Sequence, residues 1–341
     1  MKRGSRAHFI GILPLLATGV GLAFLPGFRF PLASIRVPTA PAAPYDWTQM
    51  NGNPQHSGNN TSETILSAGN VPNLQFLWQA ALPSAADGAP VYLTNVVTPQ
   101  GTMDLLYSTT KSGTLVAVAA DTGAIIWSQA HGVQGNLTSS SPAIDPNRLY
   151  VYSYGLDGYV HKHQVGDGVE ITGGGWPELT TLKGSVEKCT GALAIATAGN
   201  GHTYLYAAHG GYNGDGGDYQ GHLTAIDLAN GAQKLFNTLC SDQTVHFVIS
   251  TGSPDCAQRR SAIWAKDGVL YDDVTDRIYA ATGNGPFDAN TGGHNWGDSV
   301  FALAPDGSGI NGGPLDSYTP TNYASLESGD VDLGSTGPAI L

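Results

Sequence analysis

The sequence is poor in charge and in sulfur. Only 12% of its 341 residues are Asp, Glu, Lys or Arg, and 27 acidic against 15 basic residues give a formal net charge of −12. A chain so short of Lys and Arg lacks the positive field that phosphate backbones and anionic membrane faces attract, so no nucleic-acid partner is expected. The acidity needs no explanation beyond solubility. Three cysteines occur: Cys189, Cys240 and Cys256. They form no C-x-x-C-H, which excludes covalently attached c-type haem, and neither C-x-x-C nor H-E-x-x-H occurs to hold zinc. Cys240 and Cys256 bracket a polar, Gly/Ser-containing loop and are placed to close it, which would contribute about 3 kcal/mol in the chain-entropy model. Cys189 would then be free, although three cysteines allow three pairs.

Apolar runs are short except at the N-terminus. Lys2, Arg3 and Arg6 precede an uncharged stretch from Ala7 to Phe28 with an apolar centre at Phe9–Leu25. This pattern predicts a signal peptide or an N-terminal membrane anchor over residues 1–28. A membrane span needs roughly 20 apolar residues, so the length is borderline. No cysteine follows, which argues against a lipoprotein signal. Residues 29–45 read as an extended Pro/Ala-rich linker, and 46–341 as the folded part. The expected location is outside the cytoplasm: periplasmic, extracellular or anchored at the cell envelope, with the membrane touched only through the N-terminal segment.

What the folded part has in abundance is glycine at regular spacing. Gly113–Gly123, Gly158–Gly168, Gly221–Gly231 and Gly297–Gly307 each stand ten positions apart. The first unit, G-T-L-V-A-V-A-A-D-T-G-A-I-I-W, reads as a strand, a turn at Asp121-Thr122-Gly123, and a second strand ending on Trp127. Before each unit lies another strand-like run: Leu105–Tyr107, Leu149–Val151, Tyr204–Tyr206 and Arg277–Tyr279. Before those lie Ala89–Tyr92, Ser141–Ile144, Ala192–Ile195 and Ile263–Ala265. Four strands per repeat, at a period of about 40–50 residues, predict the blades of an all-β propeller built of four-stranded antiparallel sheets. Helical repeats fit poorly, because the runs are short, β-branched or aromatic, and broken by Gly and Pro.

The loop between strands two and three is short in the first repeat, Ser108–Ser112, but long in the third, Ala208–Gln220, and the fourth, Thr282–Trp296. Equivalent loops emerge on one face of a propeller, so both insertions can meet there. They are rich in Asp, Asn and Gly, a composition that suits calcium through oxygen ligands on a flexible frame. Taken alone, they read equally as solvated turns.

Asp46-Trp47, Asn70-Val71, Leu74 and Trp78, followed by G-x-L-x-A-x-x-x-D-T-G-x-x-x-W, resemble the pyrroloquinoline quinone (PQQ) repeat, quinoprotein alcohol dehydrogenase-like propellers. The resemblance covers about Tyr45 to Leu341. It implies that Trp127 docks neighbouring blades, with Phe236 as a substitute in the third repeat. It also implies PQQ and calcium on the face of the long loops. Asn284, in Y-A-A-T-G-N-G, matches a calcium-ligating asparagine. Asp218, in G-G-D-Y-Q-G-H-L-T-A, matches a ligating carboxylate, with Asp where Glu is usual. Trp264 matches the flat floor under the quinone, and Asp332, in D-V-D-L-G, the catalytic aspartate. The expected function is an exported quinoprotein-type dehydrogenase acting on an alcohol or sugar. The alternative is a non-catalytic propeller serving as a binding or assembly scaffold for a protein partner. The absence of an adjacent Cys-Cys pair departs from many quinoprotein dehydrogenases.

Four repeats fall short of the seven or eight blades typical of that family, so the sequence is expected to be an incomplete propeller. Gly334–Leu341 reads as the first strand of a fifth repeat, and Leu74–Leu82 as an outer strand that would close a ring. A small closed propeller is the competing reading.

Overall fold

The computed structural model describes residues 46–132, 136–248 and 255–340. The expected signal or anchor and the linker lie outside the described residues. Among the described residues, no helix is long and apolar enough to cross a membrane.

Four antiparallel sheets follow one another along the chain, each in strand order 1-2-3-4. The first contains β1 (Val91–Thr98), β2 (Gly101–Thr109), β3 (Thr114–Ala119) and β4 (Ile125–Ala130). The second contains β5 (Ala143–Ile144), β6 (Tyr150–Tyr154), β7 (Tyr159–Gln164) and β8 (Glu178–Leu179). In the third, β9 (Glu187–Cys189) joins β10 (Ala194–Thr197), β11 (Thr203–Gly211), β12 (His222–Asp227) and β13 (Gln233–Asn237), pairing with the far end of β11. The fourth contains β14 (Leu270–Asp272), β15 (Arg277–Ala281), β16 (Val300–Leu303) and β17 (Asp316–Tyr318). A short helix, α1 (Tyr323–Gly329), follows. The sheets are the expected propeller blades.

One segment ties the inner strands together. Trp47 pairs with Tyr92 of β1, the Thr48 carbonyl accepts from Ile144 of β5, and the Pro54 carbonyl accepts from Tyr271 of β14. Between them the Gln49 side chain bonds both backbone groups of Ile195 on β10, at 3.1 and 2.9 Å. Gln49 is buried, so these bonds offset the loss of water by its amide.

The repeat's glycines explain how blades dock. Gly123 (φ +75°) and Gly168 (φ +72°) both adopt the left-handed turn conformation. A Cβ on Gly168 would sit 2.6 Å from the Trp127 indole, and one on Gly123 the same distance from Trp78. Each tryptophan lies flat on the turn of the next sheet and donates its indole N–H there, Trp78 to Ala120 and Trp127 to Val165, at 2.9 and 3.1 Å. Later seams vary the device. Glu178 meets Gly231, and Phe236 packs against Phe301 with ring centroids 5.2 Å apart. The docking role expected of Trp127 and Phe236 matches these contacts.

Three expectations need correction. Leu74–Leu82 forms no strand; Leu74, Phe76 and Leu77 are exposed, no strand of the four sheets pairs with the segment, and Trp78 anchors it through its indole bond to Ala120. The first strand of the fourth sheet is β14, not Ile263–Ala265, which runs ahead of it and bonds across to the His209 carbonyl through the Ile263 N–H. Residues 336–340 adopt no strand, following a short 3-10 turn at Leu333–Ser335. Cys240 and Cys256 are disulfide-bonded, and Cys189 is free and buried.

Candidate functional site

The two long connections, β11–β12 and β15–β16, converge with the segment after α1 around a cavity of about 590 Å³. Asn284 is its hinge point. The side-chain amide donates to Asp330 Oδ1 at 2.8 Å and Asp215 Oδ2 at 3.2 Å, while its backbone N–H donates to Asp332 Oδ1 at 2.5 Å. The carboxamide NH₂ is thereby committed, and only the amide oxygen remains for a ligand.

Backbone placement makes this possible. Asp330 is the left-handed cap of α1 (φ 53°, ψ 47°), and the helix end points it back at Asn284. The Asp298 carboxylate accepts from the Leu333 N–H at 3.1 Å, which pins the terminal segment to the β15–β16 connection. Gly283 has no side chain where one would meet Asp332 Oδ1 at 2.7 Å and the Trp264 indole nitrogen at 2.8 Å. The indole N–H of Trp264 lies beside the Asp332 carboxylate and lowers its proton affinity. Trp264 is 36% exposed, with its ring available on the cavity wall. Just before it, Arg260 and Ser261 both adopt left-handed conformations (φ 85° and 55°), uncommon for non-glycine residues. Gly221 and Gly285 leave the room for Ser261: a Cβ on Gly221 would stand 1.8 Å from its carbonyl oxygen, and one on Gly285 2.7 Å from its nitrogen.

The electrostatics are those of crowded carboxylates. Burial, followed by the charges of Asp330 and Asp215, raises the Asp332 carboxyl above the usual range, against the lowering effects of the Asn284 and Trp264 N–H groups. Burial likewise raises Asp298 to about 6, with Asp332 and Glu327 adding to it. Two cations, Lys188 and Arg260, also line the cavity, and Arg260 reaches Glu327 at 3.4 Å.

The structure therefore brings Asn284, Trp264 and Asp332 together. Asp218 does not join them. Its carboxylate accepts from Lys183 Nζ and Gln220 Nε2, both at 3.1 Å. Lys183 is almost fully buried, and an ammonium out of water holds the nearest carboxylate. Asp215, three residues earlier in the same loop, takes the place by Asn284, held also by the Tyr219 hydroxyl at 2.7 Å. Asp215 and Arg260 were missed in the sequence, and Asp330 stood there only as the weaker match for the catalytic aspartate. The available signal for Asp215 was its position between Gly214 and Gly216, where the backbone is free to turn.

The family model described as outer membrane protein assembly factor BamB, a PQQ-repeat model, matches residues 64–312. No curated protein matches. Among solved structures, the chain is similar to the quinohemoprotein alcohol dehydrogenase of Pseudomonas putida HK5 (TM-score 0.59, 18% identity, covering 81% of this chain and 40% of that one). It is similar to the quinohemoprotein alcohol dehydrogenase of Comamonas testosteroni (TM-score 0.58, 19% identity, 80% and 41%). It is also similar to a europium-containing methanol dehydrogenase (TM-score 0.53, 21% identity, 81% and 49%). At these identities the likeness shows the fold alone. This chain spans less than half the length of each of the three. The family match, by contrast, runs over well more than half of the sequence, and the chain belongs to the PQQ-repeat propeller family.

Proposed function

We propose that this chain carries the quinone- and calcium-binding face of an exported quinoprotein-type dehydrogenase that oxidises an alcohol or sugar. The observation that carries this reading is the convergence of Asn284, Trp264 and Asp332, from three separate segments, on one cavity. The donor set fits. The Asn284 carboxamide oxygen and the Asp215 and Asp330 carboxylates are hard oxygens of the kind calcium takes, and the two carboxylates, which accept from the Asn284 NH₂ in the metal-free chain, would pass to a divalent cation that relieves their repulsion. Trp264 offers an aromatic plane for a flat ring, and Lys188 and Arg260 offer positive charge to an anionic cofactor.

When bound, the quinone would supply the hydride acceptor and calcium the Lewis acid that polarises it. The chain's own residues do the rest. Asp332 is the candidate base for the substrate hydroxyl proton, which it would receive on a carboxylate oxygen. Its raised proton affinity suits that task. The Asn284 N–H holds one carboxylate oxygen, Oδ1, and the Trp264 indole lies beside the same carboxylate, so its orientation is set. The Asp298 contact to Leu333 holds the Asp332 segment against the cavity.

The second reading, a non-catalytic envelope scaffold, rests on the family description, which names an outer membrane assembly factor. Dye reduction by the 341-residue chain, supplied with PQQ and calcium and offered a panel of alcohols and sugars, tests the choice. Turnover that disappears in Asp332→Asn is expected. No dye reduction with any member of the panel favours the scaffold.

A further inference from the structure

A second cluster of ligating side chains lies away from the cavity, at the seam between the first and second sheets. His131 follows β4, while Asp157 and His161 belong to the β6–β7 turn and β7. Each offers one ligand atom, and these atoms lie within 4.8 Å of one another. We propose that His131, Asp157 and His161 form a binding site for a first-row divalent transition ion of the zinc type, joining the first blade to the second.

Four observations carry this. First, Asp157 Oδ1 and His161 Nε2 already stand 3.1 Å apart. That is close to the roughly 3.3 Å edge of a tetrahedron with ligands about 2.0–2.1 Å from zinc. Second, His161 has a partner behind it. Its Nδ1 stands 2.7 Å from Glu170 Oε1. A carboxylate on one imidazole nitrogen fixes the ring, the arrangement that supports histidine ligands in metal sites, and Nε2, which faces Asp157 in the metal-free chain, would give up its proton to bind the ion. Third, the backbone leaves a cradle. A Cβ on Gly155 would meet Asp157 Oδ1 at 2.5 Å, His161 Nε2 at 2.6 Å and His131 Cβ at 2.8 Å, so the space where these groups converge exists because residue 155 is glycine. Fourth, His131 is held in place. Its N–H donates to Gly113 of the first sheet at 3.2 Å, and its carbonyl accepts from Leu156 of the second at 2.7 Å. The His131 and His161 rings lie stacked, with centroids 3.5 Å apart and planes 15° apart, so binding turns the His131 ring out of that stack to aim its lone pair at the ion.

The chemistry selects the ion. Two imidazoles and one carboxylate suit zinc, copper or nickel, whereas calcium wants oxygen alone. Asp157 is exposed and His161 buried, so the ion has an entry path and a fourth position open to water. His163, on the same strand, stands 3.0 Å from His131 by their Nε2 atoms and backs the site from the interior. The other stacked histidine pair, His209 and His222, offers no comparable set. Both ring nitrogens of His222 face backbone carbonyls, Gln220 at 3.1 Å and Thr180 at 2.8 Å.

The test uses the full chain, stripped with a chelator and titrated with Zn²⁺ by calorimetry, then with Co²⁺ as a visible-absorbance probe, both in excess calcium. One Zn²⁺ per chain is expected, with ligand-field bands from Co²⁺ that Zn²⁺ displaces. His161→Ala should abolish both signals, and Glu170→Gln should weaken binding about 10–100-fold. If His161→Ala does not fold, Asp157→Asn, at an exposed position, should still lower affinity at least tenfold while the far-ultraviolet circular dichroism stays unchanged. Absence of stoichiometric Zn²⁺ uptake, or uptake that survives Asp157→Asn undiminished, overturns the proposal.

Discussion

The first and fourth sheets have the same strand order, yet their β2–β3 and β15–β16 connections differ in size. Residues 110–113 suffice to turn the first sheet, whereas residues 282–299 intervene in the fourth. The short turn is closed by its own hydroxyls, with Thr110, Ser112 and Thr114 linked at 3.1 and 3.2 Å. The long one projects Asn284 towards side chains 46 and 69 residues away. The framework is repeated and the chemistry is not. A four-stranded sheet stacked on the next leaves its strand-two-to-three connections free to lengthen, since they carry no ladder hydrogen bonds. Substitutions in the framework should therefore cost stability and spare binding, and substitutions in the long connections should do the reverse.

The largest expected effect breaks the framework. Trp127 is 8% exposed and fills the seam between the first two sheets. Trp127→Ala removes that volume and should destabilise the fold by about 3–5 kcal/mol, read by urea denaturation. Quinone and calcium affinities of the folded fraction should stay unchanged. Next comes Gly168→Ala. It forces a Cβ to within 2.6 Å of the same indole at a positive φ, so a loss of about 1–3 kcal/mol is expected.

A smaller effect, of the opposite sign, sharpens the contrast. Asp298 titrates near 6 when folded, above the ordinary carboxylate value it takes when unfolded. Below the unfolded value both states are protonated and the side chain is not penalised. As pH rises towards 6 the unfolded state ionises first, and stability is lost until the folded pKa is passed. Asp298→Asn should then stabilise the metal-free chain by roughly 1 kcal/mol above pH 7 and by little near pH 4, as thermal melts at the two pH values would reveal. A stabilisation equal at both pH values would remove burial of this charge as the cause.

The repeat was legible because its physics is local. A turn between two strands needs positive φ, glycine supplies it, and the tryptophan preceding that blade fits on the missing Cβ. The site was legible in part. Asn284, Trp264 and Asp332, singled out by their motifs, line one cavity, while the roles those motifs imply for them remain proposals. Asp215 and Asp218 could not be told apart, because both lie in one glycine-rich loop, and the choice is made by distant groups: Lys183 draws one carboxylate away, and Asn284 with Tyr219 holds the other. Leu74–Leu82 shows the same limit. Its apolar run reads as an outer strand, but a strand needs a partner, and none of the four sheets pairs with it.

The central claim is that the long connections form one calcium-dependent quinone site. Calorimetric titration of the 341-residue chain with PQQ, with and without calcium, tests it most directly. Binding of one PQQ that requires calcium, weakened at least tenfold by Asn284→Ala and retained in Asp332→Asn, is the predicted result. PQQ binding that ignores calcium, or none in either condition, would contradict it.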